Sequence, residues 1–238
     1  MPSYFKSNVY YNTYENPVSF FTNPAYNNQP VDSPYDDHSI GGFVEMGTDL
    51  IPMNTLKGAI HYRKDVHTEE SLVYNYATTP TSVSVSGAKR QEEETWSFAV
   101  ENTFHAAKWL DLVTGVSYDL NQVLEVVDPA NRPVATPSVD AWHWQTAAIY
   151  SYSPTGKVHA DVSSRIRFPT PFERYSTPFG TIVSDPNLPP ERATNYEIGI
   201  DDALYHTLHV SSAVFYSDKH PERVHRRQLQ DVHRRHQP

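Results

Sequence analysis

From Val158 to Phe168 the chain alternates, with Ser164 as the one polar residue on the apolar face. His159, Asp161, Ser163, Arg165 and Arg167 stand opposite Val158, Ala160, Val162, Ile166 and Phe168. The polar set includes an imidazole, a carboxylate and two guanidinium groups. Such a face cannot pack in a dry core, because charge removed from water without a partner is costly. It can face a wet lumen. No recognisable catalytic frame surrounds these groups: the sequence has no nucleophile elbow, no His-Glu-x-x-His and no Gly-rich phosphate loop. No catalytic residue, cofactor or enzyme activity is therefore assigned. Glu92, Glu93 and Glu94 read as a solvated charge run at a loop end, and His105 and His143 as structural or lumen-facing. His220, His225, His233 and His236 match no standard zinc spacing, so no metal site is expected.

The totals narrow the classes further. There are 28 acidic and 19 basic side chains, for a net charge of −9. That balance excludes non-specific nucleic-acid binding, which needs a basic surface. With no cysteine, disulfides and thiolate chemistry are also excluded. The longest apolar runs, Ala147 to Tyr150 and Ala213 to Tyr216, are four residues long. A spanning helix needs about 20.

The elements that must position these side chains are strands of about ten alternating residues, the length of a tilted membrane strand. Leu110, Leu112, Thr114, Val116, Tyr118 and Leu120 share one face, with Asp111, Val113, Gly115, Ser117 and Asp119 on the other. Before them, Trp96, Phe98, Val100 and Phe104 alternate with Ser97, Ala99, Glu101 and Thr103. Trp142, Trp144, Ala148, Tyr150 and Tyr152 repeat the pattern, and a Ser153-Pro154-Thr155-Gly156 turn leads into the strand of His159. Further hairpins are read over 42–64, turning at Ile51 to Asn54, and over 194–217, turning near Ala203 and Leu204. A first strand is read near 4–12. Short turns alternate with long polar stretches at 13–38, 65–92, 121–140 and 169–190. This is the layout of an outer-membrane barrel. A soluble β-sandwich would also alternate, with one face as core. The loop asymmetry and the aromatic strand ends favour the membrane version.

Residues 165–200 make the pattern specific. They include Arg165-Ile-Arg-Phe-Pro-Thr-Pro-Phe-Glu-Arg-Tyr-Ser176 and Asp185-Pro-Asn-Leu-Pro-Pro-Glu-Arg-Ala-Thr-Asn-Tyr-Glu-Ile-Gly-Ile200. This closely resembles the C-terminal barrel of TonB-dependent outer-membrane receptors. The family shows an Arg-x-Pro-x-x-x-Glu segment, a loop closing with Asn-Pro-x-Leu-Lys-Pro-Glu, and a strand with Asn-Tyr-Glu-x-Gly. The residues that carry it here are Arg167, Pro169, Phe172, Glu173, Arg174, Tyr175, Asn187, Leu188, Pro190, Glu191, Arg192, Asn195, Tyr196, Glu197 and Gly199. Pro189 stands where the family usually has Lys.

The resemblance covers about residues 1–217. It implies an all-β fold: an antiparallel transmembrane β-barrel segment, about nine strands of a larger barrel of nominally about 22. It further implies uptake of a scarce ligand such as a ferric siderophore or other iron complex, with the outer-membrane lipid bilayer and, for the full-length parent, the TonB complex as partners. A passive porin or adhesin anchor and a soluble β-sandwich binding module remain the alternatives. Arg165, Arg167 and Glu197 are expected to face the lumen, with Glu197 pairing to Arg165 or Arg167. Arg90, Arg132, Phe172, Arg174 and Tyr175 are the candidates for ligand contact in the outer loops.

Both ends depart from the family. Met1 to Lys6 shows no export signal, and no plug or TonB-contacting segment is seen. Residues 219–238 hold 4 of the 12 His and 6 of the 19 basic residues. We therefore read 218–238 as a basic non-barrel tail, produced by a frameshift or truncation near Asp218.

Overall fold

A computed structural model describes residues 3–21, 24–26, 31–75, 82–127, 134–175, 185–204 and 208–221. It holds nine strands: β1 (Ser3–Phe20), β2 (Val31–Thr48), β3 (Asn54–Asn75), β4 (Ser82–Ala107), β5 (Leu110–Val127), β6 (Ser138–Ser151), β7 (Lys157–Arg167), β8 (Glu191–Leu204) and β9 (Leu208–Pro221). One five-residue helix, α1 (Pro171–Tyr175), follows β7. Each strand pairs antiparallel with the next, so the order in the sheet is the order in the chain. Among the described residues β1 and β9 do not meet, and the sheet is open. No helix among the described residues is long and apolar enough to cross a membrane.

The register explains the sequence alternation. Val44 opposes Ile60, Ile60 opposes Phe98, Phe98 opposes Tyr118 and Tyr118 opposes Trp142. One apolar face therefore runs unbroken across five strands, and it is turned outward: Phe98, Val100, Val116 and Trp144 are all about half exposed. In water that exposure would be unfavourable; against acyl chains it is the required surface. Aromatic pairs mark this face, two of them partway along the strands, with Tyr62 and Trp96 rings 4.5 Å apart and Tyr118 and Trp142 5.0 Å, and one beside the short turns, Trp109 and Tyr150 at 5.6 Å. The opposite face is polar and concave. Side chains from β1 through β7 line a single cavity of about 690 Å³ on it.

The short turns lie close to where the sequence placed them. Asn54 N donates to Ile51 O at 3.0 Å, and Met53 takes φ 61° to close the bend. At the next turn only Lys108 and Trp109 separate β4 from β5. In the Ser153–Gly156 turn the Ser153 hydroxyl accepts from Gly156 N at 2.7 Å, a side-chain cap that fixes a four-residue reversal.

The expected loops, by contrast, are too long. β1 continues to Phe20 and β2 begins at Val31, placing much of 13–38 in a hairpin where even Pro17 opposes Pro34. β3 and β4 take up most of 65–92, and β5 and β6 trim 121–140 at both ends. These extensions carry neighbouring charges on both faces in places, as at Asp36–Asp37 and Glu69–Glu70, which strands standing in water can do. With no lipid on one side, the ladder continues while the alternation that reveals it stops. Only 169–190 has the expected bounds. At the far end β9 runs through Asp218 to Pro221, paired with β8 to its end; residues 222–238, the rest of the expected tail, lie outside the described residues.

One seam is weaker than the rest. β6 and β7 share the shortest register in the sheet, from Ser151 opposite Lys157 to Trp144 opposite Ser164. Beyond it, Ile166 N donates to the His143 ring Nδ1 at 2.9 Å. The Arg192 guanidinium donates to Trp142 O at 3.3 and 3.4 Å. Side chains have replaced the next backbone pairing.

Candidate functional site

The concave face carries a chain of charge-assisted contacts from strand to strand. Lys6 Nζ lies 3.3 Å from Glu45, which also accepts from the Tyr4 hydroxyl at 2.8 Å. Lys57 meets Glu101 at 3.0 Å. Glu101 accepts from Gln145 at 2.8 Å, and Gln145 in turn accepts from Arg165 at 2.7 Å. Strand periodicity puts these residues together, because each is on the face opposite the lipid-type side chains. His143 extends the set inward: it is 5% exposed, and its Nε2 lies 3.0 Å from Asp119 Oδ2 in an electrostatic contact. Such a surface can hold water and a polar occupant. Acting in concert on a bound substrate is another matter, since no nucleophile and base are paired on it.

The motif residues form a second constellation. Thr170, Pro171, Phe172 and Glu173 make a capping box at the start of α1. Thr170 Oγ1 accepts from Glu173 N at 3.3 Å while Glu173 Oε2 accepts from Thr170 N at 2.8 Å. Pro171 takes the first helical position, where its missing N–H costs nothing. Arg167 then donates to both Glu173 oxygens at 2.9 and 3.0 Å and to Glu191 at 3.4 Å. The Arg-x-Pro-x-x-x-Glu spacing is thus a clasp between the end of β7 and its own loop. This geometry, with the Thr170 amide adding its hydrogen bond, pulls the Glu173 carboxyl down to about 2.

α1 turns back over the wall. Arg174, 1% exposed, donates to Asn121 Oδ1 of β5 at 3.2 Å. Burial pulls its guanidinium below the ordinary value, opposed by the nearby Glu93 carboxylate. Tyr175 donates to Ala135 O at 2.9 Å, and burial pushes its phenol up to about 12. On the far side of the loop, Asp185 Oδ1 accepts from Asn187 N at 2.8 Å and Asp185 O from Leu188 N at 3.0 Å. Pro190 is fully buried as the chain enters β8.

Several expectations change here. Glu197 does not pair with Arg165 or Arg167. It lies 3.2 Å from His159 Nε2, because the register sets it opposite Asp161. Arg165 goes to Gln145 and Arg167 to the clasp. Arg90 sits within β4, held by Glu92 at 2.9 Å and Glu125 at 3.2 Å, so it is part of the wall and not of a loop. Glu92, Glu93 and Glu94 are also strand residues: Glu92 pairs with Lys64, and Glu94 accepts from Tyr62 at 3.2 Å. Arg174 and Tyr175 are turned into the wall, off the surface a ligand would meet. Phe172 holds a position in α1, and Arg132 lies outside the described residues. Of the remaining motif residues, Arg192 donates to Ser164 Oγ at 2.7 Å and Asn195 accepts from Ser217 at 2.7 Å. Tyr196 faces outward with its ring 6.2 Å from Tyr216. Sequence reasoning missed the Lys6–Glu45 and Lys57–Glu101 pairs; the signal available was a charged residue on the polar face of adjacent strands.

A family model described as TonB dependent receptor-like, beta-barrel, matches residues 3–220. The chain belongs to the TonB-dependent receptor β-barrel family. Solved structures share the fold of this receptor barrel. One titled "Copper transporter OprC" superposes with a TM-score of 0.70 at 16% identity, covering 90% of this chain and 35% of that one. The ferric-catecholate import receptor Fiu from E. coli K12, in its closed form, gives 0.63 at 12% identity, covering 92% and 38%. The FpvAI–pyocin S2 complex gives 0.66 at 15%, covering 91% and 30%. The chain therefore spans about a third of the length of these structures. Among curated proteins none matches. The family is one of outer-membrane transporters, and its members are not enzymes.

Proposed function

We propose that the chain forms part of the wall of an outer-membrane receptor that takes up a ferric siderophore or a similar iron complex, driven by the TonB complex. What carries the reading is the pairing of a continuous outward apolar face with a concave polar face, Lys6 to Arg165, around a cavity of about 690 Å³. The first face suits a bilayer, the second a water-filled passage. A passage lined by paired charges lets a hydrated, polar cargo slide, because no single group binds it tightly. The short turns would lie on the periplasmic side, and 76–81, 128–133 and 168–190 outside. Ligand capture would fall to the outer segments, with Arg132 and Phe172 as candidates. The likeness to Fiu, a ferric-catecholate import receptor, supports an iron complex as cargo.

The test is to delete the coding sequence in its host and measure uptake of radioactive iron from a panel of catecholate, hydroxamate and citrate chelates under iron limitation. Loss for one chelate, restored by the gene and not by a TonB-box variant of the full-length receptor, is the expected result. Undiminished iron uptake with lost copper uptake would move the cargo to copper, and no change in either would overturn the reading.

A further inference from the structure

We propose that His159, Asp161 and Glu197 form a binding site for a divalent transition-metal ion on the polar face of β7 and β8, beside the Ser153–Gly156 turn. Their ligand atoms all lie within 4.8 Å of one another. His159 and Asp161 are two residues apart on β7 and so leave the same face. Asp161 and Glu197 are direct partners across the β7–β8 pair. Three donors are thus held by two hydrogen-bonded strands, without reliance on a loop.

Three further observations point to a cation. First, Asp161 and Glu197 are carboxylates directly opposed across a ladder, an arrangement that is destabilising unless something positive lies between them. Second, His159 opposes Gly199. A Cβ at Gly199 would come within 2.4 Å of the His159 ring, so the missing side chain is the space the imidazole occupies to reach Glu197. Third, Asp201 Oδ2 stands 3.7 Å from His159 Nδ1 while Nε2 faces Glu197. At that distance Asp201 does not hydrogen-bond the ring, but its carboxylate stands on the side of the non-ligating nitrogen, where a supporting carboxylate lies behind a metal-binding histidine.

The 3.2 Å between Nε2 and the Glu197 oxygen suits an ion bonded to both at about 2.0–2.2 Å. One imidazole and two carboxylates match zinc, ferrous iron, cobalt or manganese, with water in the remaining positions. Lys157, in register with Asp201, is the basic residue facing the outer edge of the group. The site stands whatever the receptor transports, and its readout is binding, not uptake.

The test uses the whole chain in detergent micelles, in a background carrying H220Q, H225Q, H233Q and H236Q, so that other histidines near the C-terminus do not compete. Cobalt(II) is titrated and followed by its visible ligand-field absorption and by calorimetry, with far-UV circular dichroism recording the sheet. The expected result is one cobalt per chain. Affinity should fall at least about 10-fold in H159N and E197Q, and by less in D201N. G199A should weaken binding as well, by displacing the ring. E197Q changes a half-exposed side chain, so it carries the comparison if H159N misfolds. No saturable cobalt binding to a chain with a β-sheet spectrum would overturn the proposal, as would equal affinity in the parent background and E197Q.

Discussion

At the scale of single residues, the loop after β7 is held by charge where a tight turn would be held by backbone geometry. The Glu173 carboxyl titrates near 2 in the fold against an ordinary 4.5, so it stays ionised throughout the neutral range. A depressed carboxyl contributes its full stability above about pH 4.5 and loses it as pH falls toward 2. The protection of the Thr170 and Glu173 amides, taken relative to the intrinsic exchange rate at each pH, should therefore fall across that window, and E173Q should show the low protection at every pH. Glu173 is exposed enough for solvent screening, so the effect on global stability should stay within about 1 kcal/mol. Arg174 is a different case, being buried against Asn121. R174A should release α1 from the wall, seen as faster protease cleavage between Phe168 and Pro190 while the strands remain protected. The sequence showed which residues belong to this constellation but not what they do. Arg167 and Glu173 are six apart and fall together only once Thr170 and Pro171 start a helix. The pairing of Glu197 was equally hidden, because register, not proximity in the chain, sets its neighbour.

At the scale of elements, the two faces of one strand should respond oppositely to the same substitution. Val116 is outward and about half exposed, whereas its neighbour Ser117 lines the concave cavity. In lipid vesicles V116R should destabilise the assembled barrel by about 2–4 kcal/mol, and S117R by well under that, measured by urea unfolding followed through tryptophan emission. Strands were legible wherever lipid imposes alternation, as from Leu110 to Leu120. They became illegible above the aromatic pairs, where Asp36, Asp37 and Glu92 to Glu94 are as polar on one face as on the other. The turns at 51–54 and 153–156 could be read because Pro, Gly, Ser and Asn carry the bend chemically. The His159, Asp161 and Glu197 cluster could not, since its members are drawn from two strands separated by residues 168–190.

At the scale of the molecule, nine strands in chain order leave β1 and β9 with unpaired edges among the described residues. Open backbone edges are not tolerated in hydrocarbon and recruit other strands in water. The chain on its own should therefore form edge-paired oligomers in micelles, seen as a concentration-dependent mass by light scattering. A heat-resistant compact band on electrophoresis would contradict this. The order of strands was legible because hairpins leave no alternative neighbour; the curvature was not, since it depends on packing that alternation does not encode. The curled sheet is not equally strong around its circumference. Between β6 and β7 the backbone ladder stops at Trp144 and Ser164, and a ring and a guanidinium complete the join. Under lateral tension a zipper parts where its teeth are fewest. When the surrounding bilayer is stretched or a bulky cargo presses from within, this join should tear first, making it the line along which the wall yields while its neighbours hold.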